Sequence, residues 1–166
     1  AVNEVRRAKP RRILDVATGT GDLAIALARR IRDVQVMGVD LSEEMLAVAR
    51  RKVEARGLDS RIVLERGDAE HLEVADASVD AATVAFGVRN FGDLAAGLRE
   101  LARTIRPGGK VVILEFSRPR NRVFRALYEF YSYKILPRIG GLVSRDKRAY
   151  EYLPASVGEF PAPAEF

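Results

Sequence analysis

Cysteine is absent from this chain of 166 residues, and histidine occurs once, at His71. Without cysteine the protein has no disulfide scaffold and no thiolate zinc site. The absence also excludes a mechanism in which a cysteine adds covalently to a pyrimidine ring. A single histidine argues against a histidine-rich metal centre, so we expect no bound metal.

Long apolar runs are also missing. No run approaches the roughly 20 residues needed to span a bilayer, and no signal-peptide pattern opens the chain. At 166 residues, 48% of them hydrophobic, the chain is long enough for one well-packed domain, and we do not expect a second independent core. These features predict one cytoplasmic domain, with peripheral contact to the inner face of the cell membrane left open.

Positive charge is concentrated near the carboxyl terminus. Residues 118–148 contain nine arginines and lysines against two acidic residues, a net of +7, whereas the whole chain carries +5. The rest of the chain therefore carries −2. Such a basic segment suits anionic lipid headgroups, nucleic acid or an ordinary solvated face.

Strand and helix patterns alternate along the chain, without internal repeats. The predicted strands are residues 13–16, 34–40, 62–64, 79–86 and 111–116, with helices between them, the last over residues 94–106. Crossover helices between strands predict an α/β fold with a doubly wound, mostly parallel sheet. Ligands then bind beyond the carboxyl ends of the strands.

The stretch LDVATGTGDLA, from Leu14 to Ala24, combines a buried strand with a glycine turn that opens a helix. Gly19 and Gly21 allow a tight turn and close approach of a ligand. The string also satisfies the dinucleotide fingerprint, with Asp40 about 20 residues further on. Asp15 favours S-adenosylmethionine (SAM) instead, because SAM lacks phosphate and brings an amino group that needs acidic partners. Alternatively, Asp15 caps nearby backbone amides.

Acidic residues also follow the next two strands. Asp40 can accept both hydroxyls of a ribose, and Asp68 can accept from an adenine amino group while the Ala69 amide binds a ring nitrogen. A nicotinamide enzyme does not need Asp15 or the pair Asp68–Ala69. The three strand ends together therefore favour SAM.

Several stretches resemble the ubiquinone/menaquinone biosynthesis C-methyltransferase family. The matching strings are LDVATGTGDLA, VDLSEEML, GDAE, FGVRNF, RPGG, LEFSRP, LPRIGGLVSRD and YEYLPASV. The resemblance implies a Rossmann-like class I SAM-dependent methyltransferase that methylates a ring carbon of a polyprenylated quinol. The acceptor would be demethylmenaquinol or the related 2-methoxy-6-polyprenyl-benzoquinol.

Together with the strand-end pattern, the resemblance predicts which residues bind SAM. They are Asp15, Gly19, Thr20, Gly21, Asp40, Leu41, Asp68, Ala69 and Ala85. It also points to Arg89 and Asn90 as the pair nearest the transfer chemistry. A ring carbon becomes nucleophilic when its neighbouring hydroxyl loses a proton, and the resulting oxyanion needs stabilisation. Arg89 stays protonated, so it can orient a water or hold the phenolate, and Asn90 can supply a neutral hydrogen bond.

The sequence does not settle the roles of Arg89 and Glu115, and it argues against a catalytic role for His71. A structural ion pair is the alternative role for Arg89. Glu115 either faces the acceptor or pairs with a nearby arginine. His71 is expected to be solvent-exposed in a loop and is not assigned as a base.

We expect a single methyltransferase domain over residues 1–166. Its cofactor-binding core is residues 13–117, and residues 118–155 form a helical lid for the quinol or, alternatively, an ordinary core helix. Only twelve residues precede Ile13, and members of the family carry more chain at both ends, so we expect a truncated fragment. A homodimer is left open.

Two other functions compete with quinol methylation. One is methylation of RNA or of another small molecule, and the other is a SAM-fold protein that binds without turnover. The sequence lacks an Asn/Asp-Pro-Pro-Tyr/Phe motif after the fourth strand and lacks a catalytic cysteine. Nucleic acid is therefore not the expected partner.

Overall fold

A computed structural model describes residues 1–116 of the chain. Residues Ala1–Glu115 form one compact unit. Its elements are α1 (Val2–Arg7), β1 (Arg12–Val16), α2 (Asp22–Arg30), β2 (Gln35–Asp40), α3 (Glu43–Glu54), β3 (Ile62–Arg66), β4 (Val79–Ala85), a 3-10 helix (Val88–Asn90), α4 (Leu94–Thr104) and β5 (Ile105–Leu114). The predicted lid at residues 118–155 lies outside the described residues.

The five strands form one parallel sheet in the order β3-β2-β1-β4-β5. This confirms the predicted α/β fold and parallel sheet. The chain runs outward from β1 to β3 and then returns to the other side of β1 with β4. The strand order therefore reverses between β1 and β4, and a doubly wound sheet has its binding crevice at that reversal.

Burial is greatest in the two central strands. Ile13 and Leu14 of β1 are at most 1% exposed, and Ala81 and Ala82 of β4 are fully buried. Parallel strands inside a sheet are covered by helices on both faces, which explains why nearly every residue of these two strands is buried. The short segment before β1 forms the helix α1, and its Val5 belongs to the apolar core. This segment therefore packs against the domain.

The boundary between α4 and β5 differs from the expectation. The helix ends at Thr104, not Arg106, and β5 begins at Ile105, although Pro107, Gly108 and Gly109 were expected to end the helix in a turn. Pairing with β4 overrides the turn signal, because the register jumps from Val79↔Ile105 to Ala81↔Lys110 and a bulge takes up the extra residues. Gly108 adopts a positive φ of 81° in this bulge.

The other boundaries differ less. β3 continues to Arg66, two residues beyond the expected end, because Glu65 and Arg66 still pair with β2. The end of α3 lies at Glu54. Within residues 1–116, no helix is long and apolar enough to cross a membrane.

Candidate functional site

A cavity of about 720 Å³ lies at the carboxyl edge of the sheet, where the loops after β1 to β4 meet the end of β5. Most of the residues predicted to bind SAM line it. These are Asp15, Gly19, Thr20, Asp40, Leu41, Asp68, Ala69 and Ala85, and Asn90 lines it as well. Gly21 and Arg89 are not among the lining residues. The cavity volume falls in the range typical of sites for small ligands and cofactors.

The two glycines of the turn after β1, Gly19 and Gly21, have different roles. Gly19, with φ +56°, lines the cavity. Gly21, with φ +78°, precedes the first residue of α2, and a Cβ at this position would lie 3.0 Å from the Ala49 Cβ. The structure therefore places Gly21 where α2 packs closely against α3, behind the cavity wall.

Asp40 connects the end of β2 to the glycine turn. Its Oδ2 accepts a hydrogen bond from the Gly19 amide at 2.7 Å, and its Oδ1 accepts one from the Ser42 amide at 2.9 Å. Each carboxylate oxygen has a second acceptor site, so both can still accept from ribose hydroxyls. Because the Gly19 amide already donates to a carboxylate, it is not available to a pyrophosphate. This arrangement fits SAM better than a dinucleotide.

Asp15 is a buried carboxylate on the cavity wall, 1% exposed. Its two oxygens accept hydrogen bonds from the hydroxyls of Thr18 at 2.7 Å and Thr83 at 2.5 Å. The pKa of Asp15 is raised to about 6, chiefly by burial; the two hydroxyl hydrogen bonds oppose the rise, and the negative charge of Asp40 adds to it. A cationic amino group bound nearby would favour the ionised form.

The loop after β3 presents Asp68 and Ala69 to the cavity. Asp68 Oδ1 accepts a hydrogen bond from the Glu70 amide at 2.9 Å, which closes a tight turn. Glu70 Oε1 in turn accepts from the amides of Gly92 at 2.6 Å and Asp93 at 3.0 Å. This carboxylate joins the loop after β3 to the start of α4. His71 is exposed, as expected.

Arg89 and Glu115 form a buried ion pair. Arg89 Nη1 lies 2.6 Å from Glu115 Oε1, and their side chains are 10% and 5% exposed. The same nitrogen donates to the carbonyl oxygen of Phe86 at 2.7 Å. The structural ion pair considered for Arg89 is therefore present, and Glu115 pairs with an arginine.

Sequence reasoning missed several residues of the site. Thr83 lies within β4, and only its register opposite Asp15 brings the two together. Lys52 of α3 donates from Nζ to Thr20 Oγ1 at 2.9 Å and to Asp22 Oδ2 at 2.9 Å. The hydrogen bond from Lys52 has the largest effect on the pKa of Asp22 and lowers it, and the hydrogen bond from Thr20 lowers it further. No local pattern indicated either contact.

The fold and the site define a class I SAM-dependent methyltransferase. A SAM-dependent methyltransferase from Aquifex aeolicus has the same fold, with a TM-score of 0.63 at 23% identity, over 73% of this chain and 66% of that one. The [4+2]-cyclase SpnF is also similar, with a TM-score of 0.67 at 27% identity, over 72% of this chain and 45% of its own.

The chain belongs to the ubiE/COQ5 methyltransferase family, whose sequence model matches residues 2–166. It is 48% identical to a demethylmenaquinone methyltransferase of Thermus thermophilus, over 98% of this chain and 73% of that protein. A ubiquinone/menaquinone biosynthesis C-methyltransferase of Geotalea uraniireducens is 47% identical, over 100% of this chain and 71% of that protein. The protein is thus a SAM-dependent methyltransferase, and SAM is its cofactor.

The raised pKa of Asp15 predicts a pH-dependent stability. A carboxyl whose pKa rises from 3.8 to about 6 on folding contributes stability below pH 3.8, and this contribution is lost as the pH rises through 6. The variant Asp15→Asn does not titrate. We expect its unfolding free energy, relative to wild type, to increase by about 2 kcal/mol between about pH 4 and about pH 7.5.

Urea denaturation of the SAM-free protein at the two pH values measures this difference. Asp59→Asn is the matched control, because it makes the same side-chain change at an exposed position that does not line the cavity. An Asp15→Asn difference that stays constant with pH would contradict the prediction.

The close approach of Gly87 to Ala17 predicts a steric effect on SAM binding. A Cβ at Gly87 would lie 2.3 Å from the Ala17 Cβ, and Ala17 is part of the turn that lines the cavity. Gly87→Ala should therefore displace the turn and weaken SAM binding by about tenfold in a calorimetric titration. Gly87 has φ −116°, so the effect is not one of backbone strain.

A second substitution separates this clash from other effects of the variant. Ala17 has φ +53°, a conformation that glycine adopts readily, and Ala17→Gly removes the opposing Cβ. The double variant Ala17→Gly/Gly87→Ala should recover most of the lost SAM affinity. If the double variant binds as weakly as Gly87→Ala alone, the steric explanation is wrong.

Proposed function

We propose that this protein transfers the methyl group of SAM to a ring carbon of a polyprenylated quinol, with demethylmenaquinol or 2-methoxy-6-polyprenyl-benzoquinol as acceptor. The observation that carries the proposal is the two-sided character of the cavity. Carboxylates lie at the ends of β1 to β3, whereas Phe86, Phe91 and Leu114 lie on the side of β4 and β5. A polar cofactor and an apolar aromatic acceptor match these two sides. The names of the similar enzymes support the same acceptor class.

On the polar side, the chain's own groups hold SAM. Asp40 accepts the ribose hydroxyls, Asp68 and the Ala69 amide bind the adenine, and Asp15 provides negative charge for the amino group. Gly19, Thr20, Leu41 and Ala85 complete the wall. Gly21 supports the turn through its packing on Ala49. SAM itself supplies a methyl group on a sulfonium, which a carbon nucleophile can attack.

On the apolar side, the 3-10 helix carries Arg89 and Asn90. Asn90 lines the cavity, where its amide can hydrogen-bond the phenolate oxygen of the acceptor. Arg89 bonds the Phe86 carbonyl and Glu115, so it supports the loop next to the acceptor, and its charge is paired with that of Glu115. Deprotonation of the ring hydroxyl then raises electron density on the adjacent carbon.

Because the acceptor carries a polyprenyl tail, the proposal includes contact between the protein and a membrane surface. The basic segment at residues 118–148 has the charge to bind anionic headgroups, and it lies outside the described residues. We propose peripheral association through this segment.

A methyl-transfer assay tests the acceptor class. We expect radiolabel from SAM to enter a short-chain demethylmenaquinol, kept reduced, and not to enter total RNA. The product should carry the label on a ring carbon, identified by mass spectrometry. Label in RNA would support the competing nucleic-acid function, and SAM binding without label in either substrate would support a binding-only protein.

Substitution of Arg89 tests its role in turnover. Arg89→Ala should lower kcat by about 100-fold, because the loop that carries Asn90 loses its contacts to Phe86 and Glu115 and the acceptor is no longer held in place, with SAM affinity within about threefold of wild type. The single variant removes the guanidinium that pairs with the buried Glu115, which costs stability.

The double variant Arg89→Ala/Glu115→Ala removes both charges and serves as the control for that loss. It should unfold closer to the wild-type temperature and still turn over slowly. A double variant that folds normally and retains wild-type kcat would remove Arg89 from the mechanism.

A further inference from the structure

Phe86, the residue directly after β4, has a positive φ of 57°. Among residues 1–116, Phe86 is the only aromatic residue whose backbone is left-handed. This conformation is unfavourable for residues with an L side chain, whereas glycine adopts it freely. Three of the other non-glycine residues with positive φ are Lys9, Asp33 and Ala77, which do not line the cavity. The fourth, Ala17, lines it with a methyl group only.

The surrounding structure holds Phe86 in this conformation. Its amide donates to the Leu114 carbonyl oxygen at 2.8 Å, and its own carbonyl oxygen accepts from Arg89 Nη1 at 2.7 Å. The next residue, Gly87, packs directly on Ala17. Strained residues persist where neighbours fix them, and they concentrate at ligand-binding sites. A glycine would satisfy the same backbone contacts, so the backbone alone does not explain a phenylalanine here.

Phe86 is one of the exposed large apolar residues of the described part of the chain. It is 41% exposed and lines the cavity on the side that also contains Phe91 and Leu114. Exposed aromatic surface gains free energy when a ligand covers it, and aromatic rings stack with an offset on other planar rings. The carboxylates that suit SAM lie at the ends of the strands on the other side of the cavity.

We propose that Phe86 determines specificity for the acceptor by stacking on its aromatic ring. This inference rests on the proposed quinol methylation and adds the residue that recognises the ring. Stacking orients the ring plane next to Asn90, which lines the same part of the cavity. The strained backbone is retained because it directs the phenyl group to the acceptor.

Three variants of the full chain test the proposal. Phe86→Gly removes the ring and relieves the backbone, Phe86→Leu keeps apolar bulk without a ring, and Phe86→Tyr keeps the ring. The dissociation constant of a short-chain demethylmenaquinol, kept reduced, is measured by calorimetry with S-adenosylhomocysteine present, so that binding is followed without turnover. We expect a loss of about tenfold for Phe86→Gly, a smaller loss for Phe86→Leu, and a value within about threefold of wild type for Phe86→Tyr.

Two readouts separate ring recognition from a structural role. Phe86→Gly should bind S-adenosylhomocysteine as wild type does and unfold at the same or a higher temperature, because glycine accepts the left-handed backbone. Ala77→Gly relieves a similar strain at φ +47°, away from the cavity, and should leave quinol binding unchanged.

The outcomes distinguish failure of this inference from failure of the proposed function. Wild-type quinol affinity in Phe86→Gly overturns the role of Phe86, even if the wild-type protein methylates the quinol. Weakened binding in Phe86→Gly together with no methylation by wild type overturns only the proposed function. Absence of quinol binding by the wild-type protein overturns both.

Discussion

The parallel pairing of β1 with β2 on one side and with β4 on the other is the interaction on which the site depends. Backbone hydrogen bonds between these strands bring three carboxyl ends to one edge of the sheet. The same pairing sets Asp15 opposite Thr83 and allows Gly87 to pack on Ala17. A cavity forms where the strand order reverses, because the loops from adjacent strands diverge to opposite faces of the sheet there.

The site is electrostatically costly without its cofactor. Asp15 is buried with its pKa raised, and the neighbouring Asp40 adds negative charge. Threonine hydroxyls and backbone amides compensate in part, by donating to both oxygens of each carboxylate. A ligand that carries a sulfonium and an amino group supplies positive charge where the protein supplies little. The stability that the free protein loses at this edge is thus coupled to affinity for SAM.

Much of the polar side of the site could be predicted from the sequence. Asp40 and Asp68 follow apolar runs that form strands, and carboxyl ends of parallel strands meet at one edge of the sheet, so both acids line the cavity. The expectation for Arg89 was less complete, since its role depends on Glu115, 26 positions away. The turn expected at Pro107 was wrong because pairing with β4 extends β5 back to Ile105.

The sequence by itself determined the alternation of strands and helices, the glycine turn at Gly19, the strand-end acids and the family resemblance. All of these are encoded in short stretches of residues. Only the tertiary structure decided that Thr83 bonds Asp15, that Lys52 holds Thr20, and that Phe86 faces the cavity with a left-handed backbone. The partners in these hydrogen bonds are 68 and 32 positions apart. Strand order and register bring them together, and no local periodicity specifies either.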